Sequence, residues 1–503
     1  MVFQHNGESC CIRCTQPGEN HRTEKGGNIR IFPYRREREH ERVDIDDRVS
    51  YAKGPARTAD QSVEDARSAC GDPRVSHVNG IKGPSFLMNT PGYDFVNSTS
   101  IDSMHLLFLG VIRNLMKLMF TVTHASQPWS LYKYVDIIDK RLLQIKPPHF
   151  LSRVPRSVAD SLKFWKANEY YSWFFYYALP CMQDLLPANY LYHYATLVEA
   201  VYLLSKESIS DVDLIKADRL LSYFVMMMGN LYGERYLTIN VHSLLHLCDT
   251  VRDLGPLWAN SCFPFEDANG SLLKLFHGTQ YVDLQIMNAI HVSQMVPRLV
   301  QDLPPDSPET DFIEVISGKA KHLEHRTHVI GASYQATIPR QVTDTIMRIN
   351  GQPAQFYKRV NLNGTIIQSL DYSRVKVRNS YTVQYRDLGG SVRFGQCKTF
   401  ALAGNRVIAC IKQLRPSVNN IWLSKRTDLP IDQGISTNFL SVSLPHLMSV
   451  QESVLYDLVP VENIIELCVC TAYDVVEKDR NDQLVTRKRM FVCKKPNRHE
   501  TNL

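Results

Sequence analysis

The sequence predicts an α+β protein of several domains, with a mainly helical central region followed by a small β-rich C-terminal domain. The chain has 503 residues, more than one hydrophobic core usually serves. Apolar residues recur at three- and four-residue steps between about residues 101 and 300, whereas short β-branched and aromatic runs dominate after residue 346. These changes divide the chain into segments 1–100, 101–300, 301–345 and 346–503.

The first segment contains a Cys-x-x-Cys pair and a polar stretch rich in Gly, Pro and charged residues. The mixed-sign run from Pro33 to Asp47 is typical of a solvated segment. A nuclear localisation signal at Arg35, Arg36 and Arg38 is the less favoured interpretation, because glutamates interrupt the basic cluster. We expect part of this segment to be disordered.

The central region has the patterns of a helical domain. Apolar residues from Met104 to Met119 form one stripe, and Asp102 precedes them as a helix cap. Ser210 and Asp213 have the spacing of a capping box, and Gly255 is placed to end a helix. The predicted helices cover Leu106–Phe120, Val158–Leu179, Tyr190–Lys206, Asp211–Leu231 and Val241–Asp253.

The last two segments differ in residue composition and periodicity. Residues 301–345 mix Pro, Ser, Asp and His without steady periodicity, so we expect a linker with at most one short helix. Beyond it, four β-branched and aromatic runs predict a small antiparallel sheet or barrel: SYTVQY, RVIACIKQL, ELCVCTAYDVV and RMFVCKK.

Composition excludes some functional classes. The 57 basic and 51 acidic residues give a formal charge of +6, which is too even a balance to indicate a nucleic-acid partner by itself. The N-terminus has no apolar leader, and the most apolar helical stretch is short and carries Arg113 and Lys117. The 12 cysteines are scattered rather than dense. We expect a nuclear or intracellular protein that is neither secreted nor membrane-bound.

Two pairs of residues have metal-ligand spacing. Cys11 and Cys14 lie across a tight turn, so that both sulfurs can reach one tetrahedral ion. His242 and His246 lie four residues apart and project from one face of a predicted helix. The spacing alone leaves open that these histidines are ordinary packed residues.

Six blocks of sequence in unbroken order, from about residue 5 to residue 290, carry a more specific signal. They are NGESCCIRCTQPGENHRTEKGGNIRIFPY, GIKGPS, SIDSMHLLFLGVIRNL, FWKANEYYSWFFYYALP, LYGERYLTINVHSLLHL and GPLWANSCFPFEDANGSLLKLFHGT. Together they resemble CACTA (En/Spm-type) DNA transposases, in which a Cys-x-x-Cys pair follows the second catalytic aspartate. The resemblance implies a helical region derived from a ribonuclease-H-like core and DNA as partner, and it is compatible with a homo-oligomer.

The resemblance also implies roles for individual residues. In the related core of the V(D)J recombinase, a Cys pair and a His pair bind one zinc ion, which makes Cys11, Cys14, His242 and His246 the expected ligands of a structural Zn²⁺. The His spacing here is one residue shorter than in the recombinase. Glu266 is the expected remnant of the third catalytic carboxylate, which in the intact family helps hold Mg²⁺ or Mn²⁺. Asp267 competes for this role, and a helix N-terminus favours Glu266 on structural grounds alone.

Asp102 and His105 belong to the family's Asp-x-x-His block. One turn of helix brings them side by side, so we expect an Asp–His hydrogen bond that gives structural or catalytic support. Other cysteines have no partner pattern and are interpreted as buried or incidental thiols: Cys10, Cys70, Cys181, Cys248 and Cys262.

The family's first two aspartates lie upstream of the Cys pair, which this sequence reaches at Cys11. The resemblance therefore implies an N-terminally truncated, transposase-derived protein that is catalytically dead as given. The alternatives are a host-recruited DNA- or protein-binding module without catalysis, and a zinc-stabilised structural module.

Overall fold

The computed structural model describes most of the chain. Residues 35–52, which include the basic cluster considered above as a localisation signal, lie outside the described part. The described ranges are 7–24, 26–34, 53–275, 277–304, 307–316, 327–350, 353–374, 377–404, 406–417, 441–478 and 482–497.

The N-terminal segment is attached to the helical region. Strands β1 (Glu19–Arg22) and β2 (Asn28–Ile31) form an antiparallel hairpin. Directly after β2, the Phe32 amide donates a hydrogen bond to the Leu237 carbonyl at 2.7 Å, and the Phe32 ring is buried. Helix α1 (Ala59–Gly71) follows and is capped by the side chain of Thr58. The Cys-x-x-Cys turn just before β1 is thereby held against residues more than 200 positions later.

The central region is helical, as the periodicity predicts. A nine-residue π-helix, Met104–Ile112, continues into an α-helix. Two longer helices, Ala188–Leu204 and Asp211–Tyr232, pack side by side further along the chain. In chain order the remaining helices are α2 (Arg113–Phe120), α3 (Val135–Leu143), α4 (Val158–Ser161), α5 (Ala167–Ser172), α6 (Ala178–Met182), α7 (Ala188–Leu204), α8 (Asp211–Tyr232), α9 (Ile239–Ser243), α10 (Leu247–Leu254), α11 (Phe263–Leu272) and α12 (Val282–Gln301).

The prediction of one helix over Val158–Leu179 is wrong. Trp165 and Lys166 have extended backbone conformations that separate α4 from α5. The buried carboxylate of Glu169 stabilises the break, since it accepts a hydrogen bond from the Lys166 amide at 2.8 Å and pairs with the partly exposed Arg156 at 2.5 Å. A π-helix, Trp173–Tyr177, then precedes Pro180, which has no amide hydrogen to donate to the preceding turn.

The C-terminal part contains an antiparallel sheet, in agreement with its sequence pattern. The strands are β3 (His328–Ile330), β4 (Gln355–Tyr357), β5 (Arg359–Leu362), β6 (Thr365–Gln368), β7 (Thr382–Arg386), β8 (Val392–Ala403), β9 (Arg406–Pro416), β10 (Leu447–Pro460), β11 (Ile464–Leu467), β12 (Val469–Lys478) and β13 (Leu484–Cys493). The order of strands in the larger sheet is β11-β7-β8-β9-β10-β13-β12, with β4 paired to β8, and β3, β5 and β6 form a separate three-stranded sheet.

The segment predicted as a linker contains more structure than expected. Helix α13 (Pro308–Ile316), strand β3 and the start of α14 (Arg340–Asn350) all fall within residues 301–345. Short elements of this kind have too few residues to show a clear period in the sequence. All strand pairings among the described residues are antiparallel, and before residue 301 the described strands make only the β1–β2 hairpin. The described part of the chain therefore does not display a ribonuclease-H-like sheet.

The main hydrophobic core joins the helices to the sheet. It extends from the π-helix through α7 and α8 to residues of β10, β12 and β13. At this junction the Tyr473 hydroxyl donates to the Pro180 carbonyl at 2.7 Å, and the Arg141 guanidinium lies 4.2 Å from the centre of the Tyr473 ring. A smaller core lies within the sheet around Tyr385 and Phe400. Among the described residues, no helix is both long enough and apolar enough to span a membrane.

Candidate metal centre and adjacent cleft

Four side chains from distant parts of the sequence converge in the interior. Cys11 and Cys14 precede β1, His242 lies in α9, and His246 ends the 3-10 turn that follows α9. One ligand atom from each of the four lies within 4.8 Å of the others, and each residue is 3% exposed or less. We call these four residues the closed cluster. They form a buried group that could hold a metal ion.

The Cys turn is held by a buried arginine. The Arg57 guanidinium donates to the Cys11 carbonyl at 2.8 Å and to the Ser9 carbonyl at 3.1 Å. Cys14 forms an isolated β-bridge with Ala56. The Arg13 amide lies 3.4 Å from the Cys11 sulfur and donates to it. These contacts fix the backbone of the turn, so that both sulfurs face the histidines.

The histidine side departs in detail from the predicted continuous helix Val241–Asp253. Residues Leu244–His246 form a 3-10 turn between α9 and α10. The two rings still face each other, with their Nε2 atoms 3.3 Å apart. A tetrahedral zinc ion with nitrogen ligands at about 2.0–2.1 Å places two such nitrogens about 3.3 Å apart. The observed separation therefore equals one edge of a zinc tetrahedron.

The distance from sulfur to nitrogen is also compatible with a shared ion. The Cys14 sulfur lies 3.3 Å from His242 Nε2. A sulfur ligand at about 2.3 Å and a nitrogen ligand at about 2.05 Å from a tetrahedral ion lie roughly 3.5 Å apart. A small outward shift of one side chain would satisfy this edge, and a donor set of two sulfurs and two imidazoles is a common one for structural zinc.

The electrostatics of the cluster favour a bound cation. The hydrogen bond from Cys14 holds the pKa of Cys11 well below its usual value, and the same bond together with burial raises the pKa of Cys14. Hydrogen bonds with the histidines also lower the pKa of Cys11. Thiolates are the metal-binding form of cysteine, so the lowered pKa of Cys11 favours the binding of a cation.

A carboxylate lies behind one histidine. Asp249 Oδ2 is 3.5 Å from His246 Nδ1 and 3.4 Å from the Lys53 ammonium, which also pairs with Asp218 at 2.7 Å. Burial would raise the pKa of Asp249, but the hydrogen bond from His246 and the charge of Lys53 lower it to about 2. Metal-binding histidines commonly use their second nitrogen in this way, with a carboxylate fixing the ring. Asp249 is not among the residues predicted from the sequence, although its position three residues after His246 is a usable signal.

A separate cleft of about 650 Å³ contains the expected catalytic glutamate. Glu266 and Asp267 lie in the first turns of α11, and both are exposed. Two cationic side chains, those of Arg153 and Lys166, line the same cleft, as do the rings of Trp165 and Phe263. The cleft therefore combines carboxylates with groups that could contact an anionic ligand.

His105 also lines this cleft and is positioned by Asp102. His105 Nδ1 lies 2.6 Å from Asp102 Oδ2, so the expected Asp–His hydrogen bond is present. Asp102 also accepts from the Met104, His105 and Cys262 amides at 3.2, 2.9 and 2.8 Å. Burial would raise the pKa of Asp102, but the amides of Cys262 and His105 outweigh it and lower the pKa. Asp102 thus caps the π-helix and ties it to the start of α11.

The side chain of Asn240 packs against Gly110 between the two sites. A Cβ atom on Gly110 of the π-helix would lie 2.9 Å from Nδ2 of Asn240 in α9. Glycine at this position therefore lets α9, which carries His242, pack closely against the helix that carries His105. The contact defines the relative position of the closed cluster and the cleft.

Comparison of the chain with protein-family models, with curated proteins and with solved structures finds no match.

Proposed function

We propose that the closed cluster is a structural zinc site and that the chain is a transposase-derived DNA-interacting protein of CACTA type. The observation that carries the proposal is the convergence of Cys11 and Cys14 with His242 and His246, which are more than 220 residues away in the sequence. The family resemblance implies this set of ligands. The distance of 3.3 Å between the Nε2 atoms of His242 and His246 is compatible with zinc.

In this proposal zinc holds the N-terminal turn onto the helical region. The site has four protein ligands and is buried, and closed sites of this kind contribute to folding rather than to chemistry. Zinc binds cysteine in the thiolate form, so the ion would compensate the charge of the two sulfurs that bind it. Glu266 would be the remnant of the third catalytic carboxylate, located in the cleft beyond the zinc-bearing helices.

The lining of the cleft supports a nucleic-acid partner. Arg153 and Lys166 can contact phosphate oxygens, and Trp165 offers an aromatic face. Glu266 and Asp267 provide oxygen ligands of the type that Mg²⁺ or Mn²⁺ requires between protein and phosphate. Ribonuclease-H-like ancestry of the helical region is part of the same proposal.

Metal analysis tests the zinc site. After exhaustive dialysis against a weak chelator, the purified chain should retain about one zinc ion, because the closed site is buried. Cys14→Ser and His246→Ala should lose it, whereas Cys70→Ser, which alters an exposed cysteine elsewhere, should not. If the variants do not fold, cobalt substitution of the unchanged chain should still give the absorption of a tightly held ion bound by two thiolates. No retained metal and no such absorption would reject the site.

DNA-binding measurements test the proposal that the chain interacts with DNA through the cleft. Binding of a duplex should weaken with increasing salt, and Arg153→Ala with Lys166→Ala should reduce both the affinity and the salt dependence. Arg67→Ala with Arg74→Ala, which removes exposed charges on another surface, is the matched control. Equal loss from both double variants would show that the cleft is not the binding surface.

A further inference from the structure

A second group of three chemically different ligands converges at the mouth of the cleft. Asp102, His105 and Cys262 each offer one ligand atom, and these atoms lie within 4.8 Å of one another. We call these three residues the open cluster. Cys262, interpreted from the sequence as a buried or incidental thiol, is only partly buried and has two potential ligands beside it.

The fold brings these residues together through a specific contact. The Cys262 amide donates to Asp102 Oδ1 at 2.8 Å, although the two residues are 160 positions apart. Asp102 also accepts the amides of Met104 and His105 at the start of the π-helix. The start of the π-helix and the start of α11 are therefore joined at one carboxylate, and the joint holds His105 and Cys262 close together.

The open cluster differs from the closed cluster in accessibility. The His105 side chain is 56% exposed and lines the cleft that also contains Glu266. Three protein ligands with one side open to a cleft are typical of metal sites that keep a coordination position for water or substrate, whereas four buried ligands are typical of structural sites. The two clusters in this chain represent both arrangements.

The distance between the His105 and Asp102 ligand atoms is shorter than the distance between two ligands of one metal ion. His105 Nδ1 and Asp102 Oδ2 are 2.6 Å apart, whereas two ligands on a tetrahedral zinc ion are roughly 3.3 Å apart. An ion replaces the shared proton only if the imidazole moves away by part of an ångström. The exposure of His105 leaves its ring room for that movement, and the closely packed Asp102 can remain in place.

We propose that Asp102, His105 and Cys262 form a second, exchangeable site for a divalent transition-metal ion, which opens onto the cleft beside Glu266. The mixture of oxygen, nitrogen and sulfur ligands selects borderline ions such as Zn²⁺ and Co²⁺ and disfavours Mg²⁺, which prefers oxygen ligands. The site does not depend on the proposed DNA partner or on the closed cluster, because the two clusters share no ligand.

Metal titration of the full chain tests this inference. Chain that has been dialysed to keep only tightly held metal is titrated with Co²⁺ and followed by the absorption of the thiolate–cobalt bond. We expect about one further ion to bind per chain and to be removed again by mild chelation. His105→Ala and Cys262→Ser should each weaken this binding by at least tenfold, and Cys262→Ser should also remove the absorption.

Matched variants separate the open cluster from adventitious binding. His291→Ala and Cys70→Ser alter an exposed histidine and an exposed cysteine outside both clusters, and should leave the titration unchanged. Excess Mg²⁺ should not displace the cobalt. His105→Ala should keep the thermal melting temperature of the unchanged chain, because among the described residues its ring forms a hydrogen bond only with Asp102.

Three outcomes would overturn the inference. These are no second ion in the unchanged chain, a second ion that persists unaltered in both His105→Ala and Cys262→Ser, and displacement by Mg²⁺. Failure of the closed cluster has a different signature, because Cys14→Ser and His246→Ala would then leave the tightly held metal unchanged while the exchangeable cobalt still responds to His105→Ala.

Discussion

Glu199 provides a sharp test of how the sheet is joined to the helices. This glutamate of α7 is fully buried, and its carboxylate accepts from the Lys216 ammonium at 2.5 Å, the Ser443 amide at 2.7 Å and the Ser443 hydroxyl at 2.6 Å. Glu199→Gln keeps the shape but removes the charge and replaces one acceptor oxygen with a donor. The amide nitrogen would then face groups that can only donate or that already have partners.

The expected loss of stability follows from these contacts. Hydrogen bonds to a charged group contribute about 1.5–3 kcal/mol each, and breaking one partner of a buried pair costs about 3–5 kcal/mol. The amide retains one acceptor, and Lys216 is 27% exposed and can turn toward water. We therefore expect the free energy of unfolding to fall by about 3 kcal/mol, at the lower end of that range.

Urea unfolding followed by fluorescence measures this difference. The midpoint should shift to lower urea with little change in the slope, because the surface exposed on unfolding stays the same. Glu234→Gln, which changes an exposed glutamate in a loop turn, is the control and should alter stability by no more than about 0.5 kcal/mol. A loss below about 1 kcal/mol for Glu199→Gln would refute the argument that this buried carboxylate secures the junction.

Three further predictions concern acid stability, packing between the sites, and catalysis. Burial lowers the pKa of His193 to about 4, so the unfolded chain binds a proton more readily than the folded chain. The free energy of unfolding that depends on neutral His193 is present above about pH 6.5 and is lost as the pH falls toward 4. His193→Gln should reduce this loss in urea midpoints measured across that window, and an unchanged pH dependence would contradict it. Gly110→Val should place new atoms against the Asn240 side chain, disturb the packing of α9 on the π-helix Met104–Ile112 and speed zinc release to a chelator at least tenfold. Release at the unchanged rate would show that this contact is not needed. The chain should not nick supercoiled DNA in Mg²⁺, because Glu266 and Asp267 are the carboxylates among the described residues that line the cleft, and a two-metal site needs more than one adjacent pair. Mg²⁺-dependent nicking that Glu266→Gln abolishes would contradict this.

Sequence reasoning succeeded where a short pattern determines a local structure. Ser210 and Asp213 form the predicted capping box at the start of α8, which ends at Tyr232 within one residue of the predicted end. Gly255 follows α10 with a positive φ of 87°, a backbone conformation that favours glycine. The convergence of the two ligand pairs required the family resemblance in addition, because spacing within each pair carries no information about distances between pairs.

The errors arose where distant residues decide the local conformation. The break between α4 and α5 depends on the ion pair of Glu169 with Arg156, 13 residues earlier, and the aromatic pattern around it looks continuous in the sequence. Cys262 has no neighbouring Cys or His in the sequence that would indicate a ligand. Its partners, Asp102 and His105, come from a helix about 160 residues earlier, and only the folded chain brings the three together.

The contact between Gly110 and Asn240 is a route by which two clusters that share no ligand can influence each other. An ion in the closed cluster restricts α9, and α9 packs on the helix whose first turn carries His105. If occupancy of the closed cluster changes the affinity of the open cluster by some factor, occupancy of the open cluster must change the affinity of the closed cluster by the same factor. The absence of a Cβ atom at Gly110 would then determine the strength of that coupling. Moving α9 away from the helix Met104–Ile112 would let each cluster bind metal independently of the other.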